Sequence, residues 1–222
     1  MTNNSVTTTG RVLWAGLRAL LVLTVITGVL YPLAVTAVAQ VAFPGRADGS
    51  EIEDADGRIV GSALIGQTYL TDGKPDPRWF QPRPSDGLGS NGVNTRYALL
   101  LSGATNLSGD DARLIRSVED TKAAVIRDNS VPGHLVRPSD VPPDAVTSSG
   151  SGLDPHISPA YAKLQVHRVA ARNHLPVDLV DRLVADHTDG RVLGFIGEPR
   201  VNVLRLNIGL RELVADRAAA SD

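Results

Sequence analysis

The chain has 222 residues, room for one folded domain of ordinary size beyond any membrane segment. It contains no cysteine, which excludes disulfides and thiolate metal sites. Its 22 basic and 24 acidic residues nearly balance, lysine stands only at positions 74, 122 and 163, and no basic patch interleaved with aromatics supports nucleic-acid binding.

Residues 1–10 are rich in Asn, Thr and Ser and read as a short disordered tail. Residues 19–43 then run for 25 positions without a charge. At a helical rise of about 1.5 Å per residue they span roughly 37 Å, more than a hydrocarbon core of about 30 Å. A soluble core helix of that length needs a polar stripe, and none is present. The apolar run also exceeds the roughly 7–15 residues of a cleaved signal. Ala37-Val38-Ala39 does resemble a small-residue cleavage site, which would leave Gln40 as the mature terminus.

The expectation is a transmembrane helix region over 11–43. Pro32 removes a backbone donor within it, and neighbouring groups in membrane helices re-satisfy such losses, so a kink near Gly28 to Pro32 is expected rather than a break. Gly16, Thr24, Thr27 and Gly28 are small enough to permit close helix packing, with lipid exposure as the plain alternative. Arg11 and Arg18 precede the span and Arg46 follows it, a thin basic bias toward a cytoplasmic N-terminus. That orientation makes 1–10 a short cytoplasmic tail and places 44–222 outside the cytoplasm.

Pro44-Gly45 marks the exit with a turn signal, followed by an acidic linker. Arg58-Ile59-Val60 and Ala63-Leu64-Ile65 read as short strands around Gly61. Residues 71–94 are dense in Pro, Gly, Asp and Ser, an unusually long connection that points to a functional or partner-stabilised loop. A helix is expected from a Ser108 cap, with Asp110 and Asp111 in its first turn, to about Asn129. Its apolar face would be Leu114, Ile115, Val118, Val125 and Ile126. Ser158-Pro159 opens a second helix to about His174, and Pro176 a third that ends before Gly190. Residues 200–206 alternate as a strand, but the pattern slips near Leu204, and Leu206, Leu210 and Leu213 suit a terminal helix. The fold class is α+β: one N-terminal transmembrane helix, then a single α+β domain.

Chemical motifs are weak. The glycines of Gly61-Ser62-Ala63-Leu64-Ile65-Gly66 have P-loop spacing, but Gln67 stands where that motif needs lysine, so strand and turn are the better reading. His167 and His174 lie two helical turns, or roughly 10 Å, apart, too far to share one zinc ion. Asp154-Pro155-His156 offers two ligands and no evident third. Gly150-Ser151-Gly152 lacks the spaced second glycine of the G-x-S-x-G nucleophile elbow, although a membrane-anchored hydrolase built on Ser151, Asp154 and His156 is one alternative. Glu198, Arg200 and Asn202 alternate, so on a strand their side chains share a face, as a solvated surface, an ion pair or a partner contact.

Three runs are more specific: residues 79–85 (Trp-Phe-Gln-Pro-Arg-Pro-Ser), residues 149–159 around Gly150-Ser151-Gly152 and Asp154-Pro155-His156, and residues 190–204 around Gly194-Phe195-Ile196-Gly197-Glu198-Pro199. Together they closely resemble the C subunit of the Kdp-type potassium-transporting ATPase, from Gly16 to about Leu210. The resemblance implies a single-pass subunit of the bacterial inner membrane. It implies assembly with a channel-like, potassium-binding A subunit, an ATP-hydrolysing B subunit and a small F subunit. It also implies a chaperone-like effect on the B subunit's ATP affinity, and no cofactor of its own, with ATP, magnesium and potassium handled by the partners.

Candidate interface residues are Gly28 and Pro32 in the membrane, and Arg83, Ser151, Gly152, Asp154, His156, Glu198, Arg200 and Asn202 outside it; for the turn at Ser151 to His156 and the strand at Glu198 to Asn202, stabilising this domain's own fold is the equal alternative. No catalytic or metal-binding residue is assigned. The family's serine-glycine-rich run usually continues into Leu-Gly-Pro-Thr-Asn, whereas here Ser102-Gly103-Ala104-Thr105-Asn106-Leu107 is followed by Ser108-Gly109-Asp110-Asp111. A contact made by that loop would therefore differ in detail. A cleaved extracytoplasmic binding protein is the third reading.

Overall fold

A computed structural model describes residues 3–85 and 102–220. The chain divides into two compact units, Met1–Ser50 and Glu51–Asp222. In the first, α1 (Asn3–Val25), a π-helical turn (Ile26–Leu30) and α2 (Tyr31–Ala42) follow one another without interruption. Within them Thr7–Ala42, 36 residues, is long and apolar enough to cross a membrane. An α-helix suits hydrocarbon because it satisfies its own backbone.

Residues 3–10, expected to be disordered, are helical. Once the apolar helix is nucleated, each added residue gains a backbone bond without repeating the nucleation cost, and this outweighs the polar composition. The expected irregularity at Gly28 to Pro32 is the π turn itself. Pro32 has no N–H to offer the Gly28 carbonyl, and the Tyr31 amide donates five residues back to Ile26. Such turns are a recognised source of kinks. The Thr27 hydroxyl donates to the Leu23 carbonyl (2.7 Å) beside it. The helix stops at Phe43, and the Pro44-Gly45 turn signal becomes a single helical turn, α3 (Pro44–Ala47), with proline in its first position.

The second unit opens with an antiparallel hairpin, β1 (Glu51–Glu53) and β2 (Ile59–Ser62). The expected acidic linker is thus partly strand. Its acids serve the turn, where Asp54 accepts from the amides of Asp56 and Arg58. At Gly61 a Cβ would lie 2.2 Å from Gln67 Nε2 and 2.9 Å from Leu204 Cδ2, so glycine is required by packing and not by a phosphate. Residues 63–65, expected as strand, form a turn instead. The Ser62 hydroxyl captures the Leu64 amide there (3.1 Å), an alternative to strand pairing that serine readily offers.

A second hairpin, β3 (Leu70–Thr71) and β4 (Lys74–Pro75), occupies the start of the expected long loop. The part of that loop from residue 86 onward lies outside the described residues. The next helix, α4 (Ala112–Asn129), begins after the expected Ser108. Asp111 caps it, accepting from the Arg113 amide (2.8 Å), while the Ser108 hydroxyl is engaged by the Asp110 carboxylate. Of its anticipated apolar face, Val125 is buried and Ile115 is exposed.

The helices α5 (Pro159–Arg172) and α6 (Val177–Asp186) form as expected, with Ser158 capping α5 through the Tyr161 amide (3.0 Å). A three-stranded antiparallel sheet runs in the order β5 (His156–Ile157), β7 (Arg200–Asn202), β6 (Thr188–Asp189). The terminal strand is shorter than the expected 200–206, because Asn202 caps α7 (Val203–Ala219) by accepting from the Arg205 amide (3.2 Å). Leu206 and Leu210 then fall on the buried side of that helix. The core of Val166, Val169, Val180, Val184, Val201 and Leu206 lies where α5, α6, α7 and the sheet meet.

Candidate functional site

Residues 76–85 follow an irregular path, yet Phe80 is wholly buried. Its peptide groups therefore need partners that no strand supplies. Two buried side-chain amides supply them. Asn207 on α7 accepts from the Phe80 amide and donates to its carbonyl, both at 2.9 Å. Gln165 on α5 does the same for Gln81, at 2.7 and 3.0 Å. Each amide imitates a neighbouring strand.

Below them Arg168, 3% exposed, donates to the carbonyls of Pro77 (2.5 Å) and Trp79 (2.9 Å), to Asn129 Oδ1 (2.8 Å) and to Gln165 Oε1 (2.7 Å). Its acceptors are neutral. Burial pulls its pKa down to about 10, against the opposing pull of Tyr161, Asp128 and Asp76.

From this anchored segment Arg83 reaches across to the second run. It donates to the carbonyls of Thr147 (3.2 Å) and Ser148 (3.3 Å) and pairs with Asp154 (3.2 Å). Ser85 donates to the Gly152 carbonyl, and Ser102 and the Gly103 amide both bond the Ser151 carbonyl, at 3.2 and 2.8 Å. Gly152 itself sits at φ +69°, a left-handed conformation that favours glycine. The serine-glycine run ahead of the departing residues is thus tied to the Ser151 turn through Ser102 and Gly103, while Asp111 takes over the helix cap expected at Ser108.

Asp154 accepts from the His156 amide (2.9 Å), and His156 Nδ1 lies 3.4 Å away. The His156 ring, its backbone amide and then Arg83 hold the Asp154 carboxyl down to about 2, against the opposing effect of burial. The Ser151 hydroxyl bonds Ser149 (3.3 Å) and the Leu153 amide (3.1 Å) rather than the His156 ring, so these residues do not form a nucleophilic relay.

The third run joins through the sheet. His156 pairs with Asn202 across β5 and β7, the Val203 amide donates to the Pro155 carbonyl (3.0 Å), and Asn202 Nδ2 donates to the Ala63 carbonyl (3.0 Å). Arg83, Ser151, Gly152, Asp154, His156 and Asn202 therefore occupy one contiguous region. Arg200 is exposed beside Asp189, at 4.0 Å. Glu198 precedes β7 and pairs with Arg191 (3.0 Å), so it does not share a strand face with Arg200 and Asn202. Gly28 and Pro32 belong to the other unit, around the π turn. Of the two expected histidines, His167 stacks on His134, with ring centroids 3.6 Å apart. Among the described residues no group of three His, Asp or Glu is placed to hold a metal.

Sequence reasoning missed Gln165, Arg168, Asn129 and Asn207. The available signal was a polar interruption of an apolar helix: Gln165 and Arg168 lie three apart between Leu164, Val166 and Val169, all buried.

Residues 13–212 match the family described as KdpC, K+-transporting ATPase, c chain. The chain belongs to the KdpC family. It is 68% identical over 220 residues to the potassium-transporting ATPase KdpC subunit of Streptomyces avermitilis, covering 96% of this chain and 99% of the relative. The KdpC subunit of Streptomyces coelicolor is 67% identical over 223 residues, covering 97% of this chain and 99% of that one. That of Mycobacterium tuberculosis is 44% identical over 203 residues, covering 91% and 99%. The resemblance carried by the three runs, from Gly16 to about Leu210, spans nearly the whole of that match.

Proposed function

We propose that the chain is the non-catalytic accessory subunit of a high-affinity, ATP-driven potassium import complex. The observation that carries this reading is the KdpC match over residues 13–212, which takes in most of an apolar helix of 36 residues. The side chains with acid–base or nucleophilic character support it further, since Asp154, His156 and Ser151 are engaged in holding loops together.

In this reading the helix crosses the bacterial inner membrane with its N-terminus in the cytoplasm, and the Glu51–Asp222 unit lies outside. The helix docks in the membrane around Gly28 and Pro32, within a complex of a channel-like A subunit that binds potassium, an ATP-hydrolysing B subunit and a small F subunit. ATP, magnesium and potassium are handled by those partners. A folded unit outside the membrane cannot touch cytoplasmic nucleotide, so any rise in the B subunit's ATP affinity is transmitted as coupling between distinct sites through the membrane helices.

The test is a detergent pull-down of the tagged chain from potassium-starved cells, with each co-purifying protein identified. Stoichiometric recovery of a P-type ATPase and a multi-span channel-like protein is expected. Recovery of the chain alone, with both partners expressed and intact, would overturn the reading.

A further inference from the structure

The loop between β6 and β7 holds large apolar side chains out to solvent from one tight turn. Val192, Leu193, Phe195 and Ile196 are 59, 80, 71 and 51% exposed. The turn is closed, not slack. Val192 and Ile196 exchange backbone bonds in both directions, at 2.9 and 3.0 Å, and the Gly194 amide donates to the Arg191 carbonyl (3.1 Å). Gly194 and Leu193 both take positive φ, +83° and +54°, inside the ring that those bonds close. At its base Arg191 pairs with Glu198 (3.0 Å), and Arg200 stands 4.0 Å from Asp189.

We propose that this knob is a docking element that enters an apolar pocket on another protein subunit of the same complex. An apolar centre within a polar rim is the anatomy of a protein–protein contact. A turn already closed by its own hydrogen bonds loses little freedom on docking. The collar balances two arginines against two acids, so it offers no net positive charge to an anionic bilayer surface, and this favours a protein pocket over lipid. The inference rests on the subunit reading above. There, a partner that grips the membrane helix meets the knob at high effective concentration, because both are on one chain.

The test uses the full-length chain expressed with its partners in potassium-starved cells. A photo-reactive phenylalanine analogue replaces Phe195, or Lys163 on α5 as an exposed control. Light is expected to join position 195, and not position 163, to a subunit that the wild-type chain co-purifies. The double variant Leu193→Ser/Phe195→Ser should bind those partners about tenfold or more weakly, as loss of an interface hot spot does. Its thermal unfolding should match wild type, since both side chains are exposed. Crosslinks to lipid or to a second copy, equal labelling from both positions, or wild-type affinity in the double variant would each overturn the inference while leaving the subunit reading in place. If the wild-type chain recovered no partner at all, the subunit reading itself would fail, and the knob with it.

Discussion

The two units of the chain solve the same problem with opposite materials. In Met1–Ser50 the apolar side chains face outward along α1 and α2, and the backbone bonds to itself. In Glu51–Asp222 the core contains amides and a guanidinium, because an irregular segment passes through it with peptide groups to satisfy. Regular secondary structure removes that need, and irregular structure creates it. The helix can therefore be read from composition alone, whereas the folded unit depends on a few polar side chains placed within an apolar interior.

Arg168→Ala breaks the second arrangement most severely. It leaves the Pro77 and Trp79 carbonyls, Asn129 and Gln165 short of a donor. With each unsatisfied buried group worth about 1–3 kcal/mol and partial relaxation, a total loss of about 3–5 kcal/mol is expected. Denaturant unfolding of the full-length chain in detergent would measure it, and membrane insertion should be unchanged. Leu23→Arg is the converse experiment. A charge at the centre of a span costs about 2.5–3.5 kcal/mol, so the variant should shift from the membrane fraction while its folded unit keeps its melting temperature.

Asn207→Leu removes one of the two amide clamps while keeping volume. A loss of about 2 kcal/mol is expected, with hydrogen exchange at the Phe80 amide accelerated by a comparable factor. A denaturation midpoint unchanged from wild type would refute the clamp.

Acid should loosen the region around Arg83 and His156. The Asp154 carboxyl is depressed from an ordinary 3.8 to about 2. Its contribution is therefore complete above about pH 4 and disappears as the pH falls through 2. Since Asp154 is 31% exposed, solvent screening reduces the effect to about 1–2 kcal/mol. Unfolding followed from pH 5 to pH 2 should show this slope, and Asp154→Asn should flatten it. The smallest effect is expected for Pro32→Ala. Restoring an amide lets the π turn relax to α-helix, with a stability change below about 1 kcal/mol, and amide exchange around Gly28 would report it.

Legibility followed the range of the interactions. The helices α5 and α6 were placed by Ser158-Pro159 and Pro176, signals that act over a turn or less. The π turn was foreshadowed by Pro32 for the same reason. Misplacements occurred where a neighbouring side chain competed. Asp111 took the cap expected of Ser108, Ser62 turned residues 63–65 away from strand, and Asn202 ended its strand early to cap α7. At the candidate site, Arg83, Asp154 and His156 were identifiable as unusual residues, but nothing local joins positions 71 residues apart as the Arg83–Asp154 pair does.

By itself, then, the sequence determined the apolar helix, two of the domain's helices and membership of the KdpC family, since these rest on composition, on short-range capping and on long shared runs. Only the tertiary structure decided that Gln165, Arg168 and Asn207 hold the segment carrying Arg83, and that Val192 to Ile196 stand outside the core. Whether a polar residue is buried or an apolar one exposed depends on what the rest of the chain brings against it, and helical or strand periodicity cannot register such neighbours.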